Sequence, residues 1–142
     1  MLDDTLLNYH KGKVKTEDQE IEDFIHRHGW KMNKTQTGLR YMIYKQGHGI
    51  RAITGNKATI RYEIRLISGD LCYSSEQLGQ KKFTIGQGGI ETGVQEGILF
   101  MHVGDRAKFI VPSHLAFGLL GDQDKIPPQS TLIYDIELLK LN

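Results

Sequence analysis

The sequence predicts an α+β fold, in which one curved antiparallel β-sheet wraps on a single short α-helix behind an N-terminal helical extension. Three observations predict it. Residues 58–66 alternate apolar and polar side chains, which is typical of a strand whose sheet faces water on one side. Residues 91–100 carry a helical spacing of apolar residues. The first forty residues hold only three of the sixteen glycines and one clear helix signal, which sets them apart from the remainder.

The N-terminal helix is predicted over residues 17–28. Thr16 can cap it, and Gln19 stands at the position that completes a capping box. From Ile21 onward the apolar residues follow the i, i+3, i+4 spacing of one helix face, and Gly29 is a stop signal.

Beyond residue 38 the apolar period changes to two, which indicates strands. We expect them at residues 39–44, 58–66, 106–111 and 131–139. Within the helical stretch 91–100, Gly93 and Gly97 each cost about 1 kcal/mol relative to Ala. Glycines inside a helix usually allow a neighbouring backbone to approach closely.

Composition excludes several classes of protein. With 142 residues, of which 39% are hydrophobic and 25% charged, the chain suits one domain with one core. The formal charge is only +1, whereas a dedicated nucleic-acid binder normally shows a basic excess, so no nucleic-acid partner is expected. No run approaches the ~20 apolar residues of a membrane span. The first residues lack the pattern of a signal peptide.

The residues that could carry metal, redox or phosphate chemistry lack the required patterns. Cys72 is the single cysteine, so no intramolecular disulfide can form, and its place in an expected strand favours a buried thiol over a nucleophile. The cluster Gly86–Gly89 has Glu91 where a dinucleotide fingerprint needs glycine, which favours a turn. His26 and His28 are two residues apart and point to different sides of a helix. We therefore expect neither a metal nor a cofactor.

An apolar peptide-binding site is the remaining hypothesis. Phe83, Phe117, Ile126 and Tyr134 belong to expected strands or to the loops that join them. An apolar concave site with a few polar tips can bind a hydrophobic peptide.

From about Gly38 to Asn142 the chain resembles an FKBP-type peptidyl-prolyl cis/trans isomerase domain. The segments that carry the resemblance, in order, are Gly86–Ile90 with Gly93 and Glu96-Gly97, Met101–Ala107, Leu115–Gly118, Ile126–Leu132 and Tyr134–Leu139. The resemblance implies an isomerase domain over residues 38–142 and an extension over residues 1–37. It also implies that proline-containing polypeptides are the partners and that no cofactor is used.

The extension, with Trp30 and the lead-in Thr37–Leu39, resembles exported members of this family in Bacteroidetes-type bacteria, including gliding-motility-associated isomerases. Those relatives are commonly lipoproteins. The resemblance thus implies a periplasmic or outer-membrane-associated protein, tethered to the membrane through a lipidated N-terminus that is absent from this sequence.

The family resemblance also implies the site residues. Those assigned to catalysis are Tyr62, Phe83, Phe117 and Tyr134. Those assigned to substrate binding are Cys72, Tyr73, Ile90, Glu91, Val94 and Ile126.

Several of these positions depart from the family pattern. Cys72-Tyr73 replaces a Phe-Asp pair, and Val94 replaces a tryptophan at the floor of the family's substrate-binding cleft. Glu91 replaces an isoleucine, and Phe117 replaces a tyrosine. Because Cys72 and Val94 are smaller than the family's residues, they are expected to enlarge the bowl-shaped apolar cleft that binds the substrate. Two interpretations stay open: an isomerase acting on X–Pro bonds with reduced or altered activity, or a catalytically weak proline-peptide binding or chaperone module on the same scaffold.

Overall fold

The structure is a computed structural model that describes residues 16–142. The expectation that the first residues form no signal peptide concerns a part of the chain that lies outside the described residues. The chain divides into two units with the boundary after Trp30. The division predicted from the sequence, residues 1–37 and 38–142, stays a prediction.

In the first unit, helix α1 spans Glu17–His28, as the capping pattern predicts. The Gln19 backbone N–H donates to the Thr16 hydroxyl at 3.2 Å, and the Thr16 N–H donates to the Gln19 side chain at 3.1 Å. Gly29 ends the helix in the left-handed conformation with φ of 65°. The capping box and the glycine stop are thus both confirmed.

The second unit contains seven antiparallel strands in one sheet. In chain order they are β1 (Asn33–Lys34), β2 (Arg40–Lys45), β3 (Lys57–Leu66), β4 (Leu71–Ser74), β5 (Lys81–Thr84), β6 (Arg106–Val111) and β7 (Leu132–Leu141). The spatial order is β1-β2-β6-β7-β3-β4, and β5 also pairs with β3. A short helix α2 (Ser75–Leu78) follows β4. The antiparallel sheet with its expected long strands confirms the predicted fold class.

The register of the central strands sets which side chains share the core face. Ile64 on β3 lies opposite Tyr134 on β7 and opposite Tyr73 on β4. On the far side of β7, Phe109 lies opposite Tyr134. Because side chains directly opposite in a sheet point to the same face, these four residues form one row across four strands.

Helix α3 (Thr92–Gly97) continues into a 3₁₀ turn at Ile98–Phe100, so the α-helix itself is shorter than the predicted 91–100. A Cβ placed on Gly97 would lie 2.7 Å from the Phe109 ring, and one on Gly93 would lie 2.4 Å from a methyl of Val111. The expected close approach is therefore present at both glycines, but the nearest atoms belong to side chains of β6 rather than to a backbone. This approach lets α3 pack tightly on β6.

The connection between β6 and β7, residues 112–131, is the longest between consecutive strands in the described chain apart from the one that contains α3. It begins with a 3₁₀ turn at Ser113–Leu115. We call this segment the β6–β7 loop. None of the helices within residues 16–142 is long and apolar enough to cross a membrane.

Candidate functional site

A cavity of about 120 Å³ opens between the central strands and the segment that leads into α3. Its walls are mainly aliphatic and aromatic. The lining residues are Ile60, Tyr62, Ile64, Tyr73, Lys81, Ile90, Glu91 and Tyr134. An apolar cavity with a few polar tips is the usual form of a small-ligand or peptide site.

Strand geometry explains this lining. Ile60, Tyr62 and Ile64 are alternate residues of β3, so all three side chains point to the same face of the sheet. Tyr73 and Tyr134 flank Ile64 as its direct neighbours on β4 and β7. One face of three adjacent strands therefore supplies most of the cavity wall.

The segment before α3 supplies an acid to this apolar wall. The Tyr134 hydroxyl donates a hydrogen bond to the carboxylate of Glu91, the residue that precedes α3. Burial and the negative charge of Glu91 raise the pKa of Tyr134 well above its usual value. Burial and the same charge also raise the pKa of Tyr62. Both phenols therefore stay protonated at neutral pH, and Tyr134 acts as a donor.

A second phenol–carboxylate pair joins the cavity wall to the β6–β7 loop. The Tyr73 hydroxyl donates to Oδ2 of Asp122. The hydrogen bond and burial raise the pKa of Tyr73 to about 12. Burial alone would raise the pKa of Asp122, but hydrogen bonds from Tyr73 and from backbone N–H groups outweigh it and lower that pKa. The Lys125 ammonium lies 5.3 Å from the Tyr73 ring centre, within cation–π distance.

Five of the ten site residues expected from the sequence line this cavity: Tyr62, Tyr73, Ile90, Glu91 and Tyr134. The other five do not. Cys72, Phe83, Val94 and Ile126 are buried in the hydrophobic core, and the partly buried Phe117 packs against that core.

The expected enlargement of the bowl at Val94 and Cys72 is not observed. Neither residue lines the cavity, because the core packs around both and leaves Val94 fully buried and Cys72 4% exposed. Burial also raises the pKa of the Cys72 thiol, which disfavours the reactive thiolate. Cys72 is thus a core residue, as expected from its place in a strand.

Four residues of this region are missing from the predicted site: Ile60, Ile64, Lys81 and Asp122. Ile60 and Ile64 could have been found from the alternation along β3, which puts them on the face of Tyr62. Asp122 gave no signal, because its partner Tyr73 is 49 residues away in the sequence. The same holds for the hydrogen bond between Glu91 and Tyr134, which are 43 residues apart.

Most residues that line two larger clefts, of about 650 and 480 Å³, are polar or charged, and Arg61 belongs to both clefts. Its side chain forms an ion pair with Glu137 at 2.9 Å. Such partly exposed pairs are typical of a solvated sheet face. Within residues 16–142, no group of three His, Cys, Asp or Glu side chains is arranged to hold a metal ion.

Comparison with known proteins gives consistent matches. The family described as FKBP-type peptidyl-prolyl cis-trans isomerase matches residues 49–139. A probable FKBP-type peptidyl-prolyl cis-trans isomerase FkpA of Neisseria meningitidis is 35% identical over 93% of this chain, which spans 49% of that protein. FK506-binding protein 2 of Dictyostelium discoideum is 37% identical over 78% of this chain and 82% of its own length.

Solved structures agree with these sequence matches. The crystal structure of FkpA from Escherichia coli superposes with a TM-score of 0.78 at 29% identity, covering 89% of this chain and 59% of that one. The crystal structure of AtFKBP13 gives a TM-score of 0.75 at 29% identity, covering 80% of this chain and 100% of that one. The chain thus spans about half to three fifths of the FkpA proteins and most of the smaller relatives. The family match, the sheet topology and the cavity between its central strands and α3 together show that the chain belongs to the FKBP-type peptidyl-prolyl cis-trans isomerase family.

Proposed function

We propose that the protein catalyses cis/trans isomerisation of X–Pro bonds in polypeptides, and that the cavity between β3, β7 and the segment before α3 is its active site. The observation that carries this proposal is the apolar wall formed by Ile60, Tyr62, Ile64 and Ile90. It lies on the domain shared with a family of isomerases.

The physical basis is the loss of amide resonance. Rotation about the peptide bond faces a barrier of roughly 18–20 kcal/mol, and X–Pro bonds isomerise in tens to hundreds of seconds. The twisted amide is less polar than the planar one, so an apolar, water-poor cavity favours the transition state over the ground state. A thousandfold acceleration requires only about 4 kcal/mol. Neither a nucleophile nor a cofactor is needed for this mechanism.

In this proposal the proline ring enters against Tyr62 and Tyr134, and Ile90 covers it from the helix side. In the described part of the chain, the Glu91 backbone N–H donates to no backbone carbonyl, which leaves it able to bind a substrate carbonyl. Phe83, Phe117 and Ile126 act from behind this wall, in or against the core.

The proposal is tested by a protease-coupled isomerase assay with Leu-Pro, Phe-Pro and Ala-Pro peptides. Wild type should accelerate at least one peptide. Tyr62→Ala should lower kcat/KM about tenfold or more, a loss of roughly 1.4 kcal/mol of transition-state stabilisation. Tyr44→Ala is the matched control, because Tyr44 lies on β2 and does not line the cavity. Equal losses in both variants would contradict the assigned site.

A second candidate function is a proline-peptide binding or chaperone module with little turnover. The observation that favours it is the pair of charged residues in a mainly apolar wall, Lys81 and the Glu91 carboxylate that Tyr134 holds, because these charges make the cavity more polar. Titration with the same peptides discriminates the two functions. Saturable binding without acceleration of any peptide would support the binding module and exclude the isomerase.

We propose further that residues 38–142 carry the activity, that residues 1–37 form an extension, and that the protein acts in the periplasm or at the outer membrane. The similarity to bacterial FkpA proteins supports an exported protein. The resemblance of the extension to gliding-motility-associated lipoproteins supports a lipidated N-terminal tether outside the present sequence. Fractionation of the native cells tests this location, since recovery in the cytoplasmic fraction would contradict it.

A further inference from the structure

We propose that Tyr73 and Asp122 form a positioning pair, which fixes the β6–β7 loop against the sheet and thereby keeps the substrate site in its binding shape. This inference rests on the proposed function, since it concerns how the same site is held together. Tyr73 contributes its ring to the cavity wall and its hydroxyl to the loop.

Asp122 organises the far end of the loop. Its Oδ1 accepts the backbone N–H of Asp124 at 2.9 Å and that of Ile126 at 2.8 Å. Its own N–H donates to the Ile126 carbonyl at 3.0 Å. Gly121 precedes it with φ of 66°, and a Cβ there would lie 2.2 Å from the Ile126 carbonyl oxygen, so the turn closes too tightly for any other residue. Residues 121–126 therefore form one small hydrogen-bonded unit.

The Tyr73 hydroxyl connects this unit to the sheet. It donates to Oδ2 of Asp122, the oxygen not used by the two backbone bonds. The Lys125 ammonium over the Tyr73 ring adds a second contact between the same two segments. Hydrogen bonds to a charged acceptor are among the stronger ones in proteins, so this link is well suited to hold a loop.

The base of the loop is held separately by its own backbone. The Gly118 N–H donates to the Ser113 backbone carbonyl at 2.8 Å, and the Gln129 N–H donates to the Gly118 carbonyl at 2.8 Å. Loss of the Tyr73 hydroxyl should thus free the turn at 121–126 without unfolding the loop. That turn contains Ile126, which is buried in the core. Phe117, the residue before Gly118 at the base of the loop, packs against the same core. Movement of the turn would therefore disturb the packing behind the cavity wall.

The expected consequence is weaker substrate binding with little change in the chemical step. A loop that must be ordered during binding consumes part of the binding free energy. Tyr73→Phe keeps the ring in the wall and removes only the hydroxyl. It should raise KM about threefold to tenfold, the range of one net hydrogen bond, and leave kcat within about twofold.

Amide hydrogen exchange supplies a readout independent of activity. In Tyr73→Phe, the Asp124 and Ile126 amides should exchange about tenfold faster, while amides of β3 and β7 stay unchanged. Tyr44→Phe is the matched control, because the Tyr44 hydroxyl donates to Asp135 at 2.6 Å elsewhere on the sheet. It should change neither KM nor the loop amides.

A double-mutant cycle tests whether the two residues act as a pair. Tyr73→Phe should have no further effect in an Asp122→Ala background, and Asp122→Asn should be milder than Asp122→Ala because its amide oxygen still accepts one bond. Additive effects, unchanged loop exchange in Tyr73→Phe, or an equal KM rise in Tyr44→Phe would each overturn the inference. If wild type proves inactive, the proposed function fails. The pair is then judged by the exchange rates and by peptide affinity, in which Tyr73→Phe should raise the Kd about threefold to tenfold.

Discussion

The hydrophobic core and the cavity wall are built from similar residues but stabilised differently. In the core, Val94, Ile126 and Phe109 are almost completely buried among apolar neighbours. In the wall, Tyr73 and Tyr134 present their rings to the cavity while each hydroxyl donates to a carboxylate. The stability of the core therefore depends on how well its side chains fill the available volume. The shape of the wall depends on the hydrogen bonds that its phenol hydroxyls donate.

This difference predicts which substitutions act on stability and which act on function. A change of volume in the core leaves a void or a clash, because protein interiors pack as densely as organic crystals. A change in the wall that keeps the ring and removes a hydroxyl affects one hydrogen bond. Substitutions in the core should therefore change stability most, and the loss of a single hydroxyl or proton in the wall should change it least.

The largest effect is expected for Ile126→Ala in the core. Ile126 is 1% exposed, and truncation of a buried isoleucine to alanine costs about 2–5 kcal/mol of unfolding free energy. Ile50→Ala is the matched control, because Ile50 is 66% exposed and such surface changes stay within about 0.5 kcal/mol. Urea unfolding of both variants measures the difference. A loss below about 1 kcal/mol in Ile126→Ala would show that the loop end does not belong to the core.

Val94→Trp tests whether the core can accommodate the residue type that the family places at this position. Val94 is fully buried and does not line the cavity, so a larger ring has to displace the side chains packed around it. We expect a loss of about 1–3 kcal/mol from overpacking, measured by thermal or urea unfolding. A variant as stable as wild type and more active would indicate instead that the cavity extends to this residue.

Tyr134→Phe tests the hydrogen bonds between phenols and carboxylates in the cavity wall. It removes the donor to Glu91 and should cost about 1–2 kcal/mol, because the partly buried carboxylate loses its phenol partner. The double variant Tyr134→Phe with Glu91→Gln should recover part of this loss, because the acceptor left without its donor is then neutral. A double variant less stable than the single one would contradict the pairing.

The smallest effects are expected in the pH dependence of stability. The pKa of Tyr73 is about 12, above the usual value of 10.0, so the folded state keeps a proton that the unfolded chain releases, and stability falls as the pH rises from about 10 to about 12. The pKa of Asp122 is lowered from 3.8, so its contribution is present above that value and is lost as the pH falls below it.

Tyr73→Phe should therefore flatten the alkaline part of the stability curve and weaken the acidic part. The remaining alkaline slope belongs to other phenols, among them Tyr44, whose pKa is also about 12. Urea midpoints measured from pH 2 to pH 11 provide the comparison. Curves that run parallel in wild type and variant would show that Tyr73 and Asp122 are not coupled in the folded state.

Local signals in the sequence predicted most of the fold. The capping box at Thr16 and Gln19 fixed the start of α1, and the alternation along residues 58–66 predicted β3 to within one residue. A strand was expected at Cys72, but the bounds of the short strands β4 and β5 were not predicted, because four residues carry too little periodicity. Helix α3 was predicted too long because its last turn tightens into a 3₁₀ helix.

The candidate site was predicted only in part, for a physical reason. Residues such as Tyr62 and Tyr134 were expected from family resemblance and do line the cavity. Val94 and Phe83 were expected there but belong to the core, because side-chain packing decides where the cavity ends. The bonds of Tyr73 to Asp122 and of Tyr134 to Glu91 join distant parts of the chain, and no local pattern encodes them.

In the proposed mechanism, X–Pro isomerisation takes place in the cavity beside Ile60, Ile64 and Ile90. One exchange-NMR experiment on wild-type protein with a Leu-Pro peptide tests it most directly, because the same sample reports the cis/trans exchange rate and the protein methyl groups that the peptide contacts. We expect faster exchange together with shifts of the methyl signals of these three residues, while those of the exposed Ile50 and Ile53 stay in place. Faster exchange with shifts confined to other surfaces, or no acceleration at saturating protein, would contradict it.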